Sequence, residues 1–129
     1  TLEADPEDGL NEGTSMGRGF AVGGGVAAAV VEAIKHIDPT REVQIEYGDG
    51  LRECKKMLMM AKAGKRNGYL LEGMGCPGGC IGGAGTIADP AKTAILLNKY
   101  VKEAPFADPE ESPFMSSIHM LKDDPNFEV

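Results

Sequence analysis

The sequence YLLEGMGCPGGCIGGAGTIADP at residues 69–90 contains the transition that decides the fold. Its three leading apolar residues predict a short, mostly buried strand. The glycine-rich stretch at 73–85 predicts a loop, and Asp89 and Pro90 are typical of a helix N-cap and first helical residue. The stretch therefore predicts a strand, a glycine-rich loop and a helix, in that order.

The rest of the chain shows the same alternation of helices and strands. Apolar residues at helical spacing predict helices over about 26–37, 51–63 and 90–103. Alternating apolar and polar residues at 43–47 predict a further strand, followed by a tight turn at 48–50. Each helix has one apolar face, formed by Val26, Val30 and Ile34, by Leu51, Cys54, Leu58 and Ala61, and by Ala94, Leu97 and Val101.

This order of elements predicts an α/β fold with a small parallel or mixed sheet flanked by helices, because strands separated by helices usually pair in parallel. Two strands rarely make a stable sheet alone. Either a further strand therefore lies at 16–22, or the fold depends on a partner lobe. We expect residues 1–13 to form a flexible acidic arm, 14–121 the lobe itself, and 122–129 a tail. A weak terminal helix is predicted near 114–121.

Composition narrows the class of protein. Hydrophobic residues make up 42% of the 129 residues and charged residues 26%, which is typical of one soluble globular domain. The net charge of -7 argues against nucleic acid as a partner, because phosphate binding needs a basic surface. Three cysteines do not form a disulfide framework, so a reducing, cytoplasmic compartment is expected. The sequence contains no run of about 18 apolar residues, so no membrane-spanning helix is predicted. Because the chain begins with Thr1, we expect a piece of a longer protein.

Cys76 and Cys80 are the candidate metal ligands. Thiolates are soft ligands that suit iron–sulfur clusters, zinc and copper(I). Two cysteines four residues apart can reach one centre if the loop between them folds back, and the intervening proline and glycines allow that fold. Two thiolates do not complete a four-coordinate site, and His36 and His119 are poorly placed to help. The spacing alone is equally consistent with cysteines that act as small buried residues, which is the role predicted for Cys54.

The stretch from Glu72 to Gly85, EGMGCPGGCIGGAG, is similar to the third cysteine motif of iron-only hydrogenases. That motif reads approximately E-x-M-x-C-x-x-G-C-x-x-G-G-G-Q-P. Upstream, the stretch GRGFAVGGGV at residues 17–26 resembles the glycine-rich segment that precedes a helix in this family. The strand, turn and helix over 43–63 resemble the family's segment leading to the motif, so the resemblance covers roughly 14–121.

The resemblance implies one lobe of the hydrogenase catalytic domain and a specific cofactor. Members of the family hold the H-cluster, a 4Fe-4S cubane linked to a two-iron unit that carries carbon monoxide, cyanide and a bridging dithiolate. Cys76 would be a cubane ligand, and Cys80 the thiolate that bridges the cubane to the two-iron unit. Met74 would line the two-iron pocket, so Cys80 and Met74 would be the catalytic positions. The cofactor-binding residues implied are Cys76, Cys80, Gly78, Gly79, Gly82 and Gly83.

The implied reaction is the reversible reduction of protons to dihydrogen in an anaerobic setting, with ferredoxin or another electron carrier as partner. The family's other two cubane cysteines, its proton-donating cysteine and its cofactor-anchoring lysine lie in an earlier part of the catalytic domain. We therefore expect the isolated chain to hold no cofactor and to be inactive. Residues 84–87 are AGTI where many members have GGQP, which indicates a divergent branch of the family, and a hydrogen-sensing module is therefore an alternative to a hydrogen-producing enzyme.

Three other interpretations stay open. Cys76 and Cys80 could form a reversible disulfide in a thiol redox module, or the chain could dock to a partner that supplies the missing cysteines. The glycines at 82–85 precede a helix and could bind an anion or nucleotide, although no complete phosphate-binding motif occurs and Asp89 would repel phosphate. Glu72 is expected to accept N–H groups of the loop that follows it rather than to act as an acid or base. For Arg18 a surface role is predicted.

Overall fold

The computed structural model describes residues 12–117 and confirms an α/β fold. Its longer elements are α1 Ser15–Arg18, α2 Gly25–Ile37, β1 Gln44–Asp49, α3 Leu51–Lys62, β2 Tyr69–Met74 and α4 Pro90–Lys102. Short 3₁₀ turns lie at Gly19–Ala21, Cys80–Gly82, Pro109–Glu111 and Pro113–Ser117. The predicted boundaries at 1–13, 14–121 and 122–129 stay a prediction, because residues 1–11 and 118–129, including His119, lie outside the described residues.

The two strands pair in parallel, as predicted. Tyr47 lies opposite Glu72 and Asp49 opposite Met74, with α3 as the crossover between the strands. Within residues 12–117 the sheet has these two strands only. The alternative strand predicted at 16–22 is wrong, because that segment is helical. The hydroxyl of Thr14 accepts the Gly17 N–H at 3.1 Å and caps α1, which favours a helical start.

The junction between β1 and α3 differs from the predicted tight turn at 48–50. Gly48 and Asp49 continue the strand, and the chain enters α3 directly at Gly50. Gly50 donates its N–H to the Met74 carbonyl at 2.8 Å, and its own carbonyl accepts the Cys54 N–H at 3.0 Å. The junction therefore ties the carboxyl ends of both strands to the first turn of α3.

The core of the described residues is small. Its buried apolar side chains are Ala27, Ala29 and Met57. The predicted packing face of α3 is wrong in part, since Leu51 is 76% exposed and Leu58 is 60% exposed. Helical spacing establishes which residues share a face, but the position of the sheet decides which face is covered.

Helix α4 agrees with its prediction at both its start and its face. Asp89 Oδ1 accepts the Lys92 N–H at 3.0 Å, so the predicted N-cap is confirmed, and Pro90 begins the helix. The predicted face is half-buried, whereas Ile95 and Leu96 are exposed. The residues of that half-buried face are Ala94, Leu97 and Val101.

Arg18 connects the start of the described chain to α4. Its guanidinium donates to the Tyr100 carbonyl at 2.7 Å and lies 3.9 Å from the centre of the Tyr100 ring. The predicted surface role is therefore replaced by a packing contact between α1 and α4. In the part of the chain that the structure describes, no helix is long and apolar enough to cross a membrane.

Candidate metal centre

The segment between the two candidate cysteines is a tight turn. The Gly79 N–H donates to the Cys76 carbonyl at 3.1 Å, with Pro77 and Gly78 at the two central positions. Gly78 has a φ of +82°, which is the left-handed conformation that a type II turn requires at its third residue. The chain therefore folds back between Cys76 and Cys80, as their spacing predicts.

A second turn follows directly and lies beside the first cysteine. The Gly82 N–H donates to the Gly79 carbonyl and the Gly83 N–H to the Cys80 carbonyl, both at 3.1 Å. A Cβ atom placed on Gly83 would lie 3.8 Å from the Cys76 sulfur. The loop after Cys80 thus returns to the Cys76 side chain, and a side chain at position 83 would fill the space next to that sulfur.

The loop glycines contribute space more than hydrogen-bond donors. The N–H groups of Gly79, Gly82 and Gly83 are all used within the loop itself. These three N–H groups therefore hold the loop in its own shape. Gly78 lies next to open space, because a Cβ atom placed there would have no neighbour within 4 Å.

The two loop thiols differ from the third cysteine. Cys76 is half-buried and Cys80 is exposed, and within residues 12–117 neither thiol has a hydrogen-bond partner. The Cys54 thiol lies 3.2 Å from the Gly48 carbonyl and 3.4 Å from the Met74 carbonyl, and it donates toward them. Cys54 is thus a packing residue, as predicted, whereas the other two thiols are available to a ligand.

Gly79 joins the cysteine loop to the earlier glycine-rich segment. It is buried, and a Cβ atom placed on it would lie 2.7 Å from the Ala21 carbonyl oxygen and 2.8 Å from the Gly23 nitrogen. The Met74 sulfur would be 3.0 Å away. Met74, which the resemblance places in the cofactor pocket, therefore lies against the base of the same loop.

Glu72 has a different partner from the predicted one. Its carboxylate accepts the Gly24 N–H at 2.9 Å and the Ala27 N–H at 2.7 Å, and both groups belong to the start of α2. The sequence does not indicate this contact, because the partners lie 45 to 48 residues earlier in the chain. Parallel pairing and the packing of α2 against β2 bring them together.

Asp49 is a second carboxylate at this place that the sequence does not single out. It ends β1, and one of its oxygens, Oδ1, is buried without a hydrogen-bond partner among the described residues. A Cβ atom on Gly23 would lie 2.8 Å from the Asp49 carboxyl carbon. The glycine turn at Gly23–Gly25 is therefore contacted by the ends of both strands.

Cys76 and Cys80 make up an incomplete ligand set. Between residues 12 and 117, no three side chains of His, Cys, Asp or Glu come together in a way that could hold a metal ion. His36 lies elsewhere, with its Nδ1 3.1 Å from Glu110 Oε2, so the prediction that it is poorly placed to help is confirmed. The anion-binding interpretation loses support, because the Asp89 carboxylate already occupies the N-terminus of α4.

Comparison with known proteins identifies the family. A search of curated proteins found no match. The family described as iron only hydrogenase large subunit, C-terminal domain, matches residues 1–84, which is more than half of the 129-residue chain. The match includes the first glycine-rich segment, Glu72 and both loop cysteines, and it ends at Ala84, one residue before the end of the second glycine-rich segment. The chain therefore belongs to the family of the C-terminal domain of the iron-only hydrogenase large subunit.

Proposed function

We propose that this chain supplies two cysteine ligands, Cys76 and Cys80, to the H-cluster of a hydrogenase that reversibly reduces protons to dihydrogen. The observation that carries the proposal is a pair of free thiols without hydrogen-bond partners in the described chain, on the two flanks of a folded-back glycine turn. Thiolates in such surroundings are the usual ligands of iron–sulfur clusters. Membership of an iron-only hydrogenase family favours iron over zinc or copper.

The residues present fit half of the ligand set that such a cofactor needs. A Cβ atom on Gly82 would collide with the Pro77 carbonyl oxygen, so glycine there lets the loop close, and glycine at position 83 keeps the side of the Cys76 sulfur free of a side chain. Cys76 would hold the 4Fe-4S cubane, and Cys80 would bridge it to the two-iron unit. When bound, the cofactor supplies the electron and the site of proton reduction. The chain supplies two thiolates, the Met74 sulfur near the loop, and a fixed backbone.

The remaining ligands must come from another segment. The chain has three cysteines, and the Cys54 thiol is used in packing, so four cysteine ligands cannot be assembled from it. The exposed apolar side chains on α3, among them Leu51 and Leu58, are consistent with a surface that another part of the catalytic domain covers. We propose that this partner is the N-terminal part of the catalytic domain, and that ferredoxin or another electron carrier serves the assembled enzyme.

The first prediction concerns reconstitution with iron and sulfide under anaerobic conditions. With excess small thiol added to complete the ligand set that this chain only half supplies, we expect the unaltered chain to take up iron and sulfide in equal amounts, and a Cys76→Ser/Cys80→Ser variant to retain none above background, because serine hydroxyls are poor ligands for iron–sulfur clusters. Cys54→Ser is the matched control and should bind as the unaltered chain does. Iron and sulfide content per chain, measured after gel filtration, checks the result.

Three outcomes would contradict this proposal. Iron uptake that survives the double substitution would place the binding elsewhere, and equal losses in the Cys54→Ser control would point to unfolding rather than ligand removal. No uptake by the unaltered chain in the presence of the added thiol would show that Cys76 and Cys80 do not bind a cluster. The isolated chain is expected to evolve no dihydrogen with a reduced dye, because it lacks the other half of the ligand set.

A further inference from the structure

We propose that Glu72 is a positioning residue for Cys76 and Cys80, and that it acts through the glycine turn at Gly23–Gly25. This role rests on the proposed function of the two cysteines as ligands of one centre. It adds the device that holds the loop in a shape where both thiols can bind the same ligand. Glu72 itself touches no reacting atom in this proposal.

The first step is the contact between Glu72 and the start of α2. The helix begins after Gly24, which has no side chain to act as a cap, and its first turn contains no acidic residue. The Glu72 carboxylate takes over this task from β2 by accepting the Gly24 and Ala27 N–H groups. Charge-assisted hydrogen bonds at a helix N-terminus are among the stronger ones in proteins. The carboxylate therefore fixes the glycine turn relative to the strand that leads into the cysteine loop.

The second step connects this turn to the cysteines. The Gly79 backbone packs so closely on Ala21 and Gly23 that no Cβ atom fits between them. Gly79 also closes the turn from Cys76 through its N–H and begins the next turn through its carbonyl. A displacement of the glycine turn would therefore move a residue that helps to set the position of Cys76 relative to Cys80.

A role as general acid or base fits these contacts less well. Each oxygen of the Glu72 carboxylate accepts a backbone N–H, so a proton on either oxygen would compete with one of those hydrogen bonds. Glu72 is also half-buried against β1, where Tyr47 lies opposite it. The geometry thus favours a side chain that is held in a fixed position.

The test measures how well the two thiols bind one small atom in the absence of iron. Phenylarsine oxide condenses with two thiols and releases one water, so its affinity reports whether both thiols reach the same arsenic. All chains carry Cys54→Ser, which leaves Cys76 and Cys80 as the only thiols. We expect Glu72→Gln to weaken arsenical binding about tenfold, because the amide loses one acceptor and a hydrogen bond to a charged group typically accounts for such a factor.

The matched control weakens the same helix without touching these contacts. Ala29 is buried in α2, and Ala29→Gly lowers helix propensity while leaving Glu72 in place. We expect its arsenical affinity to stay within about twofold of the parent, since both hydrogen bonds of the Glu72 carboxylate remain in this variant. Affinities are compared at a temperature where every chain is folded. The amide resonance of Gly24, which lies outside the substituted turn, should shift in Glu72→Gln and change less in the control.

Each outcome decides the proposal. Unchanged arsenical affinity in Glu72→Gln, or an equal loss in Ala29→Gly, would show that Glu72 contributes only to stability. A parent chain that binds no more arsenical than one carrying Cys76→Ser would also overturn the proposal. If Glu72→Gln does not fold, Glu72→Asp replaces it, because the shorter carboxylate can keep one N–H partner and should give an intermediate affinity. The assay contains no iron, so its failure is distinct from a failure of cluster reconstitution.

Discussion

Replacing Gly79 with alanine is expected to lower the free energy of unfolding by about 3–5 kcal/mol, from backbone strain and overpacking together. Gly79 has a φ of +83° and a ψ of -159°, a region that residues with a side chain hardly ever occupy. The new methyl group would also meet the Ala21 carbonyl and the Gly23 nitrogen. Both are backbone atoms, so the clash cannot be relieved by rotating a side chain. Urea denaturation followed by circular dichroism measures the loss.

The adjacent glycine provides the control for this substitution. Gly78 also has a positive φ, but a Cβ atom there would meet nothing within 4 Å. Gly78→Ala should therefore cost only about 1 kcal/mol, which is the usual penalty of a left-handed residue with a side chain. Equal losses for the two substitutions would show that Gly79 is not wedged between the loop and the earlier glycine segment, and that conformation alone explains both.

The elements set by local chemistry could be predicted from the sequence. Asp89 followed by Pro90 predicts the start of α4, and the hydrogen bond from Lys92 confirms it. The helix between the two strands predicts their parallel pairing, because a short hairpin cannot connect them. The cysteine spacing and its proline and glycines predict a folded-back loop, which the turn at Cys76–Gly79 confirms. In each case the decisive residues lie within a few positions of one another.

Contacts between distant parts of the chain could not be predicted in the same way. The hydrogen bonds of Glu72 to the start of α2 depend on how α2 packs against β2, and no local pattern encodes that arrangement. The prediction of a tight turn at 48–50 is wrong for a similar reason. Glycine and aspartate are typical of turns, but Gly48 and Asp49 continue the strand because they pair with β2. Glycine is needed at position 48 because the Cys54 backbone lies too close for a side chain there. Tertiary packing outweighs local preference at both places.

The second large loss of stability is expected from a substitution on the packed face of α3. Met57 is 5% exposed, and its methyl group would lie 3.8 Å from a Cβ atom on Gly73 in β2. Met57→Ala should lower the free energy of unfolding by about 2–4 kcal/mol, because it removes buried apolar atoms and leaves a cavity that a small core cannot refill. Thermal or urea unfolding at low protein concentration measures the change without contributions from self-association.

Leu58 is the matched control, and it also tests the role of the outer face of α3. Helical spacing predicts Leu58 on the packed face, yet it is 60% exposed next to an apolar groove that includes Leu51 and Met59. Leu58→Ala should therefore change the stability of the isolated chain by about 0.5 kcal/mol or less. If the rest of the catalytic domain covers this groove, the same substitution should weaken assembly with it, whereas Met57→Ala acts on folding first. A larger loss of stability for Leu58→Ala than for Met57→Ala would show that α3 packs on the sheet through its opposite face. It would also leave the outer groove without its proposed partner, because the apolar side chains there would already be used in the core.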